Sequence, residues 1–204
     1  MIFPKSIFEG CTIGVVAPSS PFKKYELNVI KESFNKLGYK IKFGKSCFSS
    51  YGGYLSGEDS LRAKDIEDMF LAKDIDGILC LRGGYGTPRI LDKINYDIIK
   101  NNPKFFIGYS DITALHIAFN QKCGLVTFHG TMAGTCPEWD EFTYQSLINA
   151  INYRNTLDIK NPDNEEIYTL VEGKCEGILT GGNLSLLVST IGTDYEIDTK
   201  GKIL

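Results

Sequence analysis

The strongest constraint on the fold is a repeated unit: a short strand-like run, a loop of glycine, serine or proline, then a helical pattern. Residues 12–17, 40–43, 75–81, 104–108 and 125–129 read as strands, being short, largely apolar and bounded by turn residues. Leu27, Ile30, Phe34 and Leu37 recur at helical spacing and stop at Gly38. Leu61, Ile66, Met69 and Phe70 do the same within 60–72, where Arg62, Lys64, Asp65, Glu67 and Asp68 are expected to be mostly solvated. Further helices are expected from about Pro88, over 111–121 and over 139–152. The stretch 44–57, rich in Ser, Gly and Tyr, reads as a long loop, either a lip over a site or a surface excursion.

Strands alternating with helices at this spacing argue for a parallel sheet. The predicted class is α/β: a Rossmann/flavodoxin-like parallel sheet with helices on both faces, followed by the start of a smaller C-terminal α/β domain. Ligands of such sheets bind beyond the carboxyl ends of the strands. The expected division is an N-terminal domain over 1–153, a polar linker over 154–170 interrupted by Pro162, and an incomplete C-terminal domain over 171–204. Within that last part, 174–180 reads as a strand, Gly181-Gly182-Asn183 as a turn and 184–191 as an apolar helix. Lys202-Ile203-Leu204 reads as the first residues of another strand.

A net charge of -3 argues against nucleic acid as a partner, because phosphate binding needs a basic face, and nothing suggests a membrane surface. The six cysteines form no C-x-x-C pair and no tight ligand spacing, so no metal and no cofactor are expected. The apolar run at 13–17 is too short for a signal peptide and ends at Pro18, which suggests a reduced, cytoplasmic protein.

Two loops carry the chemistry. Phe105 to Thr113 reads F-F-I-G-Y-S-D-I-T, a buried run passing through Gly108-Tyr109-Ser110-Asp111 into a helix. A serine at such a junction presents its hydroxyl as a nucleophile elbow does, although Ile112 replaces the last glycine of G-x-S-x-G. The plainer alternative is that Ser110 only caps the helix. The second loop, Arg82-Gly83-Gly84-Tyr85-Gly86, follows a strand and offers bare backbone N–H groups to an anion. It lacks G-x-G-x-x-G spacing and a P-loop lysine, and a tight turn needing positive φ accounts for it equally.

Together with Gly14-Val15-Val16-Ala17-Pro18-Ser19, Phe128-His129-Gly130 and Gly177-Ile178-Leu179-Thr180-Gly181-Gly182-Asn183-Leu184, these loops resemble the LD-carboxypeptidase family, in the right order along essentially the whole chain. That family includes murein tetrapeptide carboxypeptidases and microcin C resistance peptidases. The resemblance implies a serine hydrolase with a Ser-Glu-His triad that removes a terminal D-residue from cytoplasmic cell-wall peptides during recycling. Ser110 matches the nucleophile, and the backbone N–H groups of Asp111 and Gly84 match the oxyanion hole. Arg82 is a candidate partner for the terminal carboxylate of a peptide, since a guanidinium fits carboxylate geometry, and Gly83, Tyr85, His129 and Asn183 are the other expected substrate contacts. The expected partner is a small murein tetrapeptide-like substrate, and the expected assembly a homodimer.

In the family the acid and histidine of the triad lie in the C-terminal domain, and no residue here matches either. His116 lies six residues beyond Ser110 on the same helix, about 9 Å along its axis, too far to take the serine proton. His129 reads better as a hydrogen-bonded structural histidine than as the base. A truncated enzyme and a short form with altered function both fit, and a peptide- or ligand-binding remnant and a microcin C-type peptidase are the competing functions. A flavodoxin-like cofactor protein is disfavoured because Pro18 and Pro21 remove N–H donors where phosphate would bind.

Overall fold

The computed structural model describes residues 1–152, 161–162 and 165–204. In chain order come β1 (Thr12–Val16), α1 (Leu27–Lys36), β2 (Lys40–Phe43), α2 (Asp59–Leu71), β3 (Gly77–Cys80), α3 (Tyr96–Asn101), β4 (Phe105–Gly108), α4 (Thr113–Cys123), β5 (Phe128–His129) and α5 (Glu141–Ile151). The five strands form one sheet in the order β2-β1-β3-β4-β5, every neighbouring pair parallel. This is the flavodoxin-like order, with helices on both faces as the sequence predicts.

Successive strand residues point to opposite faces, and in β1, β3 and β4 both faces are buried, which is why those strands read as continuous apolar runs, whereas the edge strand β2 alternates exposed and half-buried residues. Ile13, Val15, Leu79, Phe105 and Ile107 pack with Leu27, Ile30 and Phe34 of α1 and Ile151 of α5. Val16, Ile78, Cys80 and Phe106 pack on the other side with α2, α3 and α4. There the rings of Phe106 in β4 and Phe119 in α4 meet edge to face at 4.9 Å. Five of the six cysteines are buried as free thiols and Cys175 is exposed.

Several boundaries differ from expectation for local reasons. The run at 125–129 splits: Leu125 bridges to Ile2, while only Phe128 and His129 pair with β4. The segment from Pro88 forms a 3-10 turn over Pro88–Lys93, and α3 begins only where Asn95 caps it through Asp97 N. The helix expected over 139–152 begins after Asp140, which accepts from Thr143 N at 2.7 Å. The loop at 44–57 contains a 3-10 turn over Lys45–Phe48 and a bridge between Tyr51 and Leu55. Of the linker expected over 154–170, only 161–162 and 165–170 are among the described residues, and these carry neither helix nor strand. The rest of it, and Tyr153, lie outside them. Beyond it, β6 (Ile178–Leu179), α6 (Leu184–Ser189) and β7 (Lys202–Ile203) form a small unit whose two strands pair in parallel. Among the described residues no helix is long and apolar enough to cross a membrane.

The charges of α2 are the clearest correction. Lys64 is exposed, but Arg62, Asp65 and Glu67 are buried. Each satisfies backbone groups that apolar side chains would leave bare. Asp65 accepts from Lys45 N at 2.9 Å and Ser46 N at 3.0 Å, and Glu67 accepts from Asn95 N at 2.8 Å. Arg62 is 0% exposed and donates to Gly57 O at 3.2 Å, to Gly86 O at 2.8 Å, to Pro18 O and to Asp59. One guanidinium thus joins three loops. Arg62→Met is expected to lower stability by about 3 kcal/mol, since it strands buried carbonyls and an acid. A urea midpoint equal to that of the parent protein, at unchanged m-value, would contradict this.

Candidate active site

The loops after β1, β3, β4 and β5 converge at the carboxyl edge of the sheet. Ser110 lies there, immediately after β4 and Tyr109, with φ of 62°, the only positive φ at a non-glycine position among the described residues. A side chain in this region costs roughly 1–2 kcal/mol, so the surrounding contacts must hold it. The residue after it supplies many of them. Asp111 is buried, and its Oδ2 accepts from Ser19 Oγ at 2.6 Å, Gly86 N at 2.9 Å and Thr87 N at 2.9 Å. Thr87 Oγ1 donates back to the Asp111 carbonyl. The elbow, the glycine loop and the loop after β1 are therefore one hydrogen-bonded body.

The glycine loop sits directly against the serine. A Cβ built on Gly83 would lie 3.2 Å from Ser110 Cβ and 3.3 Å from its Oγ. Gly84 has φ of 148°, and a Cβ there would collide with the Ser20 hydroxyl, so only glycine fits. Asp111 N–H belongs to the first turn of a helical segment, Ser110–Ile112 running on into α4, where such groups have no intrahelical acceptor. Phe22, Arg82, Gly83, Gly84, Tyr109, Ser110 and Met132 line a common cleft of about 330 Å³. An oxygen anion formed there would meet helix-start and glycine-loop N–H groups.

Of the other expected residues, Arg82 is exposed at the cleft and donates only a 3.4 Å hydrogen bond to Pro21 O, with no ion pair among the described residues. Its guanidinium is thus open to a carboxylate. Tyr85 is 84% exposed at the loop tip and does not line the cleft. Asn183 caps α6 through Leu186 N and donates its own N–H to Thr113 Oγ1 at 3.0 Å, three residues beyond the serine. His129 lines a separate cavity of about 830 Å³ with His116, Gly181 and Gly182.

Neither histidine is bonded to the serine. The His129 side chain makes no hydrogen bond among the described residues, so the ring is not held as the hydrogen-bonded structural histidine expected, and desolvation holds its pKa below the usual value. His116 is buried beneath the elbow, where its Nε2 meets Gly108 O at 2.8 Å, and burial pushes its pKa down to about 4. Among the described residues Ser110 Oγ has no hydrogen-bond partner. Ser19, Thr87 and the Asp111 carboxylate escaped the sequence reading, which assigned Asp111 by its backbone alone; the run Pro18-Ser19-Ser20-Pro21 was the available signal.

The family described as "LD-carboxypeptidase N-terminal domain" matches residues 13–130, and "LD-carboxypeptidase C-terminal domain" matches residues 176–204. The chain belongs to the LD-carboxypeptidase family. It is 42% identical over 207 residues to the "Probable murein peptide carboxypeptidase" of Bacillus subtilis (strain 168), covering 98% of this chain and 63% of that protein. The chain therefore spans less than two thirds of that relative's length. Among solved structures, an MccF-like protein from Bacillus anthracis str. Ames superposes with a TM-score of 0.89 at 28% identity, covering 100% of this chain and 69% of that one. The microcin C7 self immunity protein MccF, in complex with aspartyl sulfamoyl adenosine, superposes with a TM-score of 0.83 at 26% identity, covering 100% and 70%.

The strain at the elbow has a measurable signature. Ser110→Gly removes the conformational cost while Ser110→Ala keeps it, so the glycine variant should be the more stable by about 1 kcal/mol in urea unfolding. An alanine variant as stable as the glycine variant would mean that φ at this position is not strained.

Proposed function

We propose that the whole protein is a serine-type LD-carboxypeptidase that removes a terminal D-amino acid from murein peptides in the cytoplasm, during cell-wall recycling, with Ser110 as nucleophile. The observation that carries this reading is the strained serine, φ 62°, facing a cleft against Gly83 and Gly84. The 42% identity to a murein peptide carboxypeptidase supports the substrate class. On this reading the nucleophile-bearing unit spans 1–153, a linker 154–170, and a second unit begins at 171. The triad's Glu and His come from residues beyond 204, and two copies associate as a homodimer.

The chemistry follows from the geometry. Ser110 Oγ attacks the carbonyl carbon of the last peptide bond while its proton passes to the histidine. The new oxyanion accepts from Asp111 N–H and Gly84 N–H, donors fixed in advance by the Asp111 tie. The intermediate expels the terminal D-residue as its protonated amine, leaving an acyl-serine that water hydrolyses. Arg82 takes the carboxylate of the departing residue and so selects for a free C-terminus. Of the remaining assigned contacts, Gly83 borders the peptide within the cleft, while Tyr85, His129 and Asn183 lie outside its lining and would meet only parts of the substrate that extend beyond it.

A second reading has its own support. The MccF structure holds aspartyl sulfamoyl adenosine, so an aminoacyl-nucleotide is the competing substrate. Because no base is bonded to Ser110 among the described residues, residues 1–204 alone are expected to bind peptide but turn it over slowly.

Turnover is best measured on the whole gene product, by mass spectrometry of the D-residue released from a murein tetrapeptide. Ser110→Ala should reduce release by about 10⁴-fold or more. Release that survives this substitution would remove Ser110 from the mechanism. Faster cleavage of an aminoacyl-sulfamoyl adenosine would favour the second substrate. Arg82→Ala should raise KM about tenfold or more for a free C-terminus and leave binding of the C-terminal amide unchanged; an equal effect on both would exclude carboxylate recognition by Arg82.

A further inference from the structure

Of the buried titratable groups that the mechanism above leaves unused, one lies at the elbow itself. His116 projects from α4 beneath the elbow, with Nε2 2.8 Å from the carbonyl of Gly108. The same carbonyl accepts from Gly130 N at 3.1 Å. A carbonyl oxygen only accepts, so Nε2 must carry the proton, and Nδ1, which has no partner among the described residues, keeps its lone pair. The rings packed against His116 belong to Phe106, with centroids 5.6 Å apart, and to His129, at 6.0 Å. His129 is the titratable group that faces it, and its charge would oppose a second one. No acceptor awaits an Nδ1 proton, so the ring is built to be neutral.

Gly108 is where the elbow is anchored on its N-terminal side. A Cβ there would lie 3.0 Å from Ile112 and 3.1 Å from Cys80 Cβ, so the backbone is wedged between β3 and the start of the helix. On the other side of Ser110, Asp111 is fixed by Ser19, Gly86 and Thr87. A residue with strained φ persists only where its surroundings over-determine it. We propose that His116 is a positioning residue for Ser110: as a neutral Nε2–H donor it clamps, together with Gly130 N–H, the carbonyl two residues before the serine.

The reactive consequence rests on the reading of Ser110 as nucleophile, but the clamp itself can be tested without turnover. In ¹⁵N-histidine NMR of the 204-residue chain, His116 should be the Nε2–H tautomer at neutral pH, and its protonation midpoint should fall near 4. The sign follows from burial. The unfolded chain binds the proton at higher pH than the native one, so the contribution of His116 to stability is full above about pH 6.5 and is lost as pH falls toward 4. His116→Leu fills similar space without a donor, whereas His116→Gln restores an N–H at similar reach. Amide exchange at Ile112 and Gly130, whose N–H groups bond Tyr109 O and Gly108 O, should accelerate about tenfold or more in the leucine variant, and return to within about twofold of the parent rate in the glutamine variant.

An Nδ1–H tautomer, parent-like exchange in the leucine variant, or failure of glutamine to restore protection would each overturn the clamp. Should the leucine variant not fold, the tautomer in the parent protein still decides. In the whole gene product, leucine should lower kcat with KM unchanged and glutamine should recover it. Failure there with an intact clamp by NMR would count against Ser110 as nucleophile rather than against the clamp.

Discussion

The Asp111 carboxylate is the tie on which the site depends. One buried oxygen collects a hydroxyl from the loop after β1 and two backbone N–H groups from the glycine loop. A charged acceptor forms stronger hydrogen bonds than a neutral one, yet burying it is costly unless a positive group shares the enclosure. Arg62 supplies that group. It is itself fully buried, so desolvation pulls its pKa down; Asp59, which it bonds, opposes that pull most, and the charge of Asp111 adds a smaller contribution in the same direction. Gly86 lies between the two, its N–H on Asp111 and its carbonyl on Arg62. The glycine loop is therefore held from both sides by opposite charges that never touch each other directly.

This arrangement explains how a short, strained elbow can be rigid. A serine at φ 62° gains nothing locally from its conformation. It is kept there because Thr87 and the Asp111 side chain fix the backbone after it, while Gly130 and His116 fix the carbonyl before it. The two N–H groups assigned to the oxyanion come from different loops. Their separation is set by the tie at Asp111 rather than by either loop alone, which is what preorganised stabilisation of a transition state requires. The cost is borne by folding, and the donors need not move when charge develops.

The architecture was legible because it rests on periodicity. Apolar runs, helical spacing and punctuation by Gly and Pro give the parallel sheet, its helices and the edge where loops gather, with errors confined to boundaries. Those errors have local causes, such as Leu125 pairing with Ile2. Buried polar groups were not legible in the same way, because charge on a helix normally signals solvent. The spacing nevertheless held a clue: Arg62, Ile66 and Met69 lie four and three residues apart, hence on one face, and all three are buried. What no pattern in one sequence reveals is that the guanidinium on that face meets carbonyls of residues 18, 57 and 86. That partnership exists only once the loops have been brought together.

The helix that begins at the elbow also carries the C-terminal unit. At its first turn Thr113 accepts the N–H of Asn183, and at its last Gln121 bonds both Glu196 O and Asp198 N. Beside it, the Lys122 ammonium sits 4.7 Å from the centre of the Tyr195 ring and 5.7 Å from that of Tyr96. Contacts at both ends of α4 fix rotation as well as distance, which a single contact would not. A general base must reach hydrogen-bond distance of the nucleophile, so a base on a separate unit is placed only as well as that unit is docked. Here the docking surface and Ser110, the proposed nucleophile, are joined through one helix. Any group the second unit presents to the cleft is thus registered to Ser110 through α4, without relying on the linker.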